Sequence, residues 1–220
     1  MALVAAFGRL ETNLDSLSVH VRAFASKKSA ITSPAQFSFL DECLLEGLLS
    51  RIWQTWGAFC RSCVMASCLG CVTSNGVAVP ALPGASNEDD VSGAAIKAKK
   101  SPTLPHWGFP NSLLRNEPTW GDLDVLTRIL GRLAPGNAAQ LLAGFSSGYT
   151  RAKTLQVIRN GAAHLNAQTM ADINAISSAY QTFPIVHPTH ALFWIDPGSS
   201  DFLVTKAIDD LKAAGSAAIA

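Results

Sequence analysis

From Ala35 to about Leu69 no proline interrupts the chain, and Phe37, Leu40, Leu44, Leu48, Ile52, Trp56 and Phe59 recur at helical spacing. Only a long α-helix, of about 30 residues at 3.6 per turn, accommodates that pattern. Leu45, Leu49 and Trp53 add a second apolar face. A helix apolar on so much of its circumference must be enclosed on several sides, so the rest of the chain has to be built around it as a bundle. Gly57 is the place for a bend.

The neighbouring segments agree. Leu3, Phe7, Leu10, Leu14, Leu17, Val21 and Phe24 alternate spacings of four and three. That stripe predicts a helix over residues 2–25, buried against another helix or a second subunit. Ser26 to Ser33 reads as a polar connection, with Pro34 fit for the first turn of the long helix. Gly70 to Pro118 differs in kind, carrying several glycines and the turn signal Ser74-Asn75-Gly76. Within it a short helix is expected over 88–99, acidic at its start and basic at its end as the helix dipole favours. Ser101 to Pro110 is expected to be extended.

Further helices are expected over 120–133 and 138–145, the second behind Asn137 as N-cap. Another runs from Tyr149, one more from a capping-box-like Thr169 to Tyr180, and a closing one over 201–214. Val186 to Ile195 reads as extended, and the Ala/Gly/Ser tail as loose. The expectation is one all-α domain, 1–220, with 70–118 as a long irregular connection or lid.

A chain of 220 residues with 48% hydrophobic and 15% charged residues can bury a real core but has little charge to spread over its surface. Some apolar surface should therefore be covered by a partner or a second copy. The formal net charge of +1 excludes a chain that lives on nonspecific nucleic-acid affinity, so any RNA contact must be local. No secretory signal is apparent. The uncharged stretch Ser62–Asn87 is broken by Gly70, Pro80 and Pro83, so no membrane span is expected. Five cysteines, an odd number, fit a reducing cytoplasm.

Cys60, Cys63, Cys68 and Cys71 resemble two metal-binding pairs. On one helix, however, the outer two would lie about 16 Å apart, too far to share an ion held at about 2.3 Å. They read as small buried hydrophobes, and no metal is expected. His187-Pro188-Thr189-His190 has no acidic or cysteine partner at suggestive spacing and reads as a loop. His20 lies on the first helix and His106 in the long connection, neither with a visible partner. Trp53, Trp56 and Trp120 are core candidates, while Trp107 either stacks on a base or pins its loop.

The chemistry-bearing stretch is Arg159-Asn160-Gly161-Ala162-Ala163-His164. On a helix Asn160 and His164 share one face, and the arginine side chain reaches it from about 100° round. Gly161 removes a side chain there, so a large ligand can approach the backbone. A guanidinium, an amide and an imidazole on one surface suit holding a phosphodiester and moving its protons. Arg151, Lys153, Arg128 and Arg132 are the candidates for a local RNA-binding patch.

These residues resemble the R-x4–6-H signature of the HEPN superfamily, the small α-helical domains of many prokaryotic endoribonucleases, toxins and antiviral systems. The long helix with Trp53, Trp56, Phe59 and Arg61 resembles that family's core helix. The resemblance implies an HEPN-like bundle acting as a metal-independent endoribonuclease in a toxin–antitoxin or antiviral setting, with no cofactor. Arg159 would hold the phosphate, Asn160 orient it, and His164 act as general base or acid, leaving a 2′,3′-cyclic phosphate. It further implies a homodimer with two motifs at one cleft, and an antitoxin or defence-system partner. The alternative is a catalytically inactive HEPN-like scaffold or interaction subunit. Some family members carry a tyrosine for nucleotide attachment two residues after the histidine; here that position is Asn166.

Overall fold

The computed structural model describes residues 2–28, 30–100 and 116–220 and is mostly helical. The helices are α1 (Ala2–Ser26), α2 (Phe39–Leu69), α3 (Glu88–Lys100), α4 (Leu123–Leu133), α5 (Ala138–Ser147), α6 (Tyr149–Ala163), α7 (Ala167–Ile176) and α8 (Leu203–Ile219). An all-α chain with a long central helix is therefore correct. No helix among the described residues is long and apolar enough to cross a membrane. Ser101 to Pro110, with His106 and Trp107, lies outside the described residues.

The α1 stripe is used inside the chain: Leu3, Leu10, Leu14 and Val21 are all buried. α2 starts at Phe39, later than the apolar pattern alone placed it. Ser33 and Gln36 cap a separate 3₁₀ turn at Pro34–Gln36, and Phe37 is extended. A second reciprocal pair then opens the helix, the Ser38 N–H donating to Asp41 Oδ2 (2.8 Å) and the Asp41 N–H to Ser38 Oγ (3.2 Å). Past α2, β1 (Cys71–Val72) and β2 (Ala78–Val79) pair antiparallel, Cys71 opposite Val79. Gly76 closes their turn at φ +80°, a conformation that favours glycine.

Several expected boundaries shift for local reasons. α4 begins at Leu123 because Asp122 accepts from the Asp124 and Val125 N–H groups. Asn137 precedes α5 but makes no side-chain cap; its amide is buried without a partner among the described residues. α7 is capped by Asn166, three residues before the expected start, with Thr169 as the reciprocal partner. Pro188–Phe193 forms a 3₁₀ turn where an extended segment was expected, and only Ile195 makes bridges, to Gln181 and Phe202. The C-terminal tail is not loose: α8 continues to Ile219, with Ala218 and Ile219 buried.

The chain divides into two compact units. The first comprises the described residues of Met1–Glu11, Trp56–Tyr149 and Ala213–Ala220. In it α3 packs on α4 and α4 on α5. The Trp56 ring meets Phe59 and Phe145 at centroid distances of 5.7 and 5.9 Å. Arg61 bridges Glu117 (2.9 Å) and Glu88 (2.8 Å), and Glu117 also accepts from Ser92 Oγ and Trp120 Nε1. The second unit, Thr12–Thr55 and Thr150–Lys212, contains the candidate site.

Candidate functional site

α6 buries Ala152, Leu155, Ile158 and Gly161. A Cβ at Gly161 would lie 2.7 Å from Ile173 Cδ1 and 3.3 Å from Pro188 Cγ. The glycine thus lets α6 approach α7 and the 3₁₀ turn, and does not open the backbone to a ligand as its place in the motif had implied. Arg159, next to the buried Ile158, is only partly exposed. It lines a cavity of 330 Å³ together with Ala162 and Ala163 of α6 and Cys43, Glu46 and Ser50 of α2. Its Nη1 donates to Asn160 Oδ1 at 3.4 Å, and among the described residues it forms no ion pair. An arginine at a cavity wall with no carboxylate on it keeps its charge available for an anion.

His164 stands one residue beyond α6, its N–H closing the last turn on Asn160 O (3.0 Å). Its carbonyl accepts from Asn166 Nδ2 (3.0 Å) and Thr169 Oγ1 (2.9 Å), which fixes the backbone at the α6–α7 corner. The residue itself is exposed, as is Asn160. Arg159 therefore faces the cavity, while His164 directly follows Ala163 of its wall. Asn166 has a structural task of its own: its Oδ1 accepts from the Thr169 N–H at 3.0 Å.

The four basic residues expected to form a patch divide between the two units. Arg151 is committed inside its unit, with Asp196 Oδ2, Asp210 Oδ2 (2.9 Å) and the Tyr180 hydroxyl (2.7 Å) all taken by its guanidinium. Burial opposes the charge on Asp196, but the Ser199 N–H and Arg151 together hold its carboxyl below the ordinary range. Two carboxylates around one guanidinium leave no net cation for a phosphate. Arg128 and Arg132 lie on α4 in the other unit, Arg128 donating to Asp124 O (3.3 Å) and Arg132 to Ala98 O. Lys153 is partly exposed on α6.

The histidine pair read as an unpartnered loop has acidic partners after all. His190 Nε2 lies 3.0 Å from Glu42 Oε1, and His187 Nε2 lies 3.2 Å from Glu46 Oε1. Two turns of matched pitch make this possible. In a 3₁₀ turn residues three apart eclipse, and on α2 residues four apart stack. That double spacing was the signal available in the sequence; its meaning depended on recognising Pro188–Phe193 as 3₁₀.

His190 is fully buried and stacks on Phe37 at 4.2 Å, and burial lowers its pKa against the pull of Glu42. His187 is oriented by Thr189, whose N–H donates to Nδ1 (3.4 Å) and whose Oγ1 lies 2.8 Å from it. With Nδ1 the acceptor, the neutral ring carries its proton on Nε2, toward Glu46.

Cys60, Cys63 and Cys68 are buried on α2, and Cys71 sits partly exposed on β1. Burial pushes the Cys68 thiol up to about 12 and raises those of Cys60 and Cys63 well above the ordinary thiol value. Such thiols act as small apolar side chains. Among the described residues no group of His, Cys, Asp and Glu is arranged to hold a metal ion. Comparison with protein-family models, with curated proteins and with solved structures finds no match for this chain.

Proposed function

We propose that the Arg159 face is the site of a metal-independent endoribonuclease that cleaves RNA by attack of a ribose 2′-hydroxyl. The observation that carries this reading is the Arg159 guanidinium, unpaired by any carboxylate among the described residues and lining a cavity large enough for a nucleotide phosphate. Arg159 holds the phosphodiester and stabilises the charge that grows on it in the transition state. Asn160 orients the guanidinium. His164, exposed at the end of the cavity-lining helix, donates or accepts the proton of the reacting oxygens. The resemblance to the HEPN signature supplies the setting, a toxin–antitoxin or antiviral system, and a homodimer in the cytoplasm with an antitoxin or defence partner. A catalytically silent scaffold is the alternative that the same fold allows.

The test is cleavage of mixed RNA by the full chain in excess chelator. Wild type is expected to cut, and Arg159→Ala and His164→Ala each to lose about 100-fold or more, the usual scale for a lost oxyanion donor or proton-transfer group. Intact RNA with wild-type protein favours the scaffold. Cleavage that chelator abolishes contradicts the mechanism.

A further inference from the structure

One imidazole cannot both take the proton from the 2′-hydroxyl and give one to the departing 5′-oxygen within a single step. The dimer expected from the resemblance would answer this with a second chain. The cavity contains a different answer within the second unit.

Resting on the nuclease reading, we infer that Glu46 is the general base of the Arg159 site, and that His187 is the residue that positions its carboxylate. Glu46 and Arg159 line the same cavity yet form no ion pair with each other, so an anion can settle between a cation and a base that have not neutralised one another. The Glu46 side chain is 44% exposed, open to a ligand, whereas His187 behind it is 14% exposed. The Thr189 N–H donates to His187 Nδ1, which leaves Nε2 as the ring's protonated nitrogen, 3.2 Å from Glu46 Oε1. A carboxylate with an imidazole behind it and open in front is arranged to accept a proton. The other titratable groups around it are Cys43, on the cavity wall, and the Glu42–His190 pair one helical turn away.

The step balances without another reactant. Glu46 takes the 2′-hydroxyl proton as the 2′-oxygen bonds to phosphorus. The bond from phosphorus to the 5′-oxygen breaks, and His164, protonated, gives its proton to that oxygen. The products are a 2′,3′-cyclic phosphate and a 5′-hydroxyl, and water later returns the proton balance between Glu46 and His164.

The experiment compares wild type, Glu46→Gln and His187→Asn in chelator, across pH, on one RNA oligonucleotide. Binding is measured in parallel by fluorescence anisotropy with its 2′-deoxy counterpart, which cannot react. Glu46→Gln keeps an acceptor for His187 and is expected to bind within about twofold of wild type. It should cut about 100-fold more slowly, with the acidic limb of the pH–rate profile gone. His187→Asn retains the turn-capping acceptor and is expected to lower kcat with KM unchanged. Circular dichroism checks that both variants fold. Wild-type rates in Glu46→Gln overturn the inference and leave the nuclease reading standing. A loss in Glu46→Gln explained wholly by binding overturns it as well. Absence of cleavage by wild type overturns that reading and this assignment together.

Discussion

Three arginines in this chain show how partners decide what a cation can do. Arg61 and Arg151 each bridge two carboxylates, at 2.9 Å to Glu117 and 2.9 Å to Asp210 respectively, and their charge is spent on the fold. Among the described residues Arg159 has only the neutral Asn160 amide, at 3.4 Å. Ionic ties also set pH dependence, most clearly at Asp41. The hydrogen bond from Lys28 Nζ (2.7 Å), followed by the Ser38 N–H, lowers its carboxyl from 3.8 to about 2. A carboxylate depressed in the folded state adds stability above its unfolded pKa, near 3.9, and loses it as pH falls through the folded value. Asp41→Asn is therefore expected to cost about 1 kcal/mol at pH 7. Urea unfolding should show the difference closing between about pH 5 and pH 2. A deficit that stays constant over that range would contradict the assignment.

Among the elements, α5 and the last turn of α8 approach each other closely at Gly144. A Cβ on Gly144 would stand 2.4 Å from the backbone of Ala218, which cannot rotate away. Gly144→Ala gains about 1 kcal/mol of helix propensity but forces the two backbones apart, so overpacking should win with a net loss of about 1–3 kcal/mol. A lowered denaturation midpoint checks this; an unchanged or raised one refutes the packing described. This contact also shows where the sequence reading ran out. Periodicity located α1, α6 and the body of α2 because each carries apolar residues at a 3.6-residue period, while the charges at its two ends located α3. It missed the end of α8, because Gly215, Ser216, Ala217 and Ala218 look like a tail until Gly144 makes room for the buried Ala218. It missed the 3₁₀ turn at Pro188 because proline excludes a central strand or helix interior but does not distinguish a loop from a tight turn. Arg159 and His164 were legible as a motif. Glu46 and His187 were not, since 141 residues of chain separate them and only the turn's pitch aligns them with α2.

At the scale of the whole molecule, a net charge of +1 and 15% charged residues leave no broad electrostatic field to gather RNA. On the proposed nuclease reading, recognition would fall to the cavity that Arg159 lines. The apolar side chains left exposed on the first turns of α2, Phe39 at 80% and Leu40 at 77%, are the contrast to the α1 stripe, which is consumed within the fold. The account's central claim is that an unpaired guanidinium and nearby proton-transfer groups act on a ribose-linked phosphate without metal. End-group analysis of a short RNA treated with chelated protein tests it most directly, beside the same strand carrying a 2′-deoxy nucleotide at the mapped cut. The account predicts 2′,3′-cyclic phosphate and 5′-hydroxyl ends from the RNA, and no cut at the deoxy position. Products ending in 3′-hydroxyl and 5′-phosphate, or scission of the deoxy strand at that site, would contradict it.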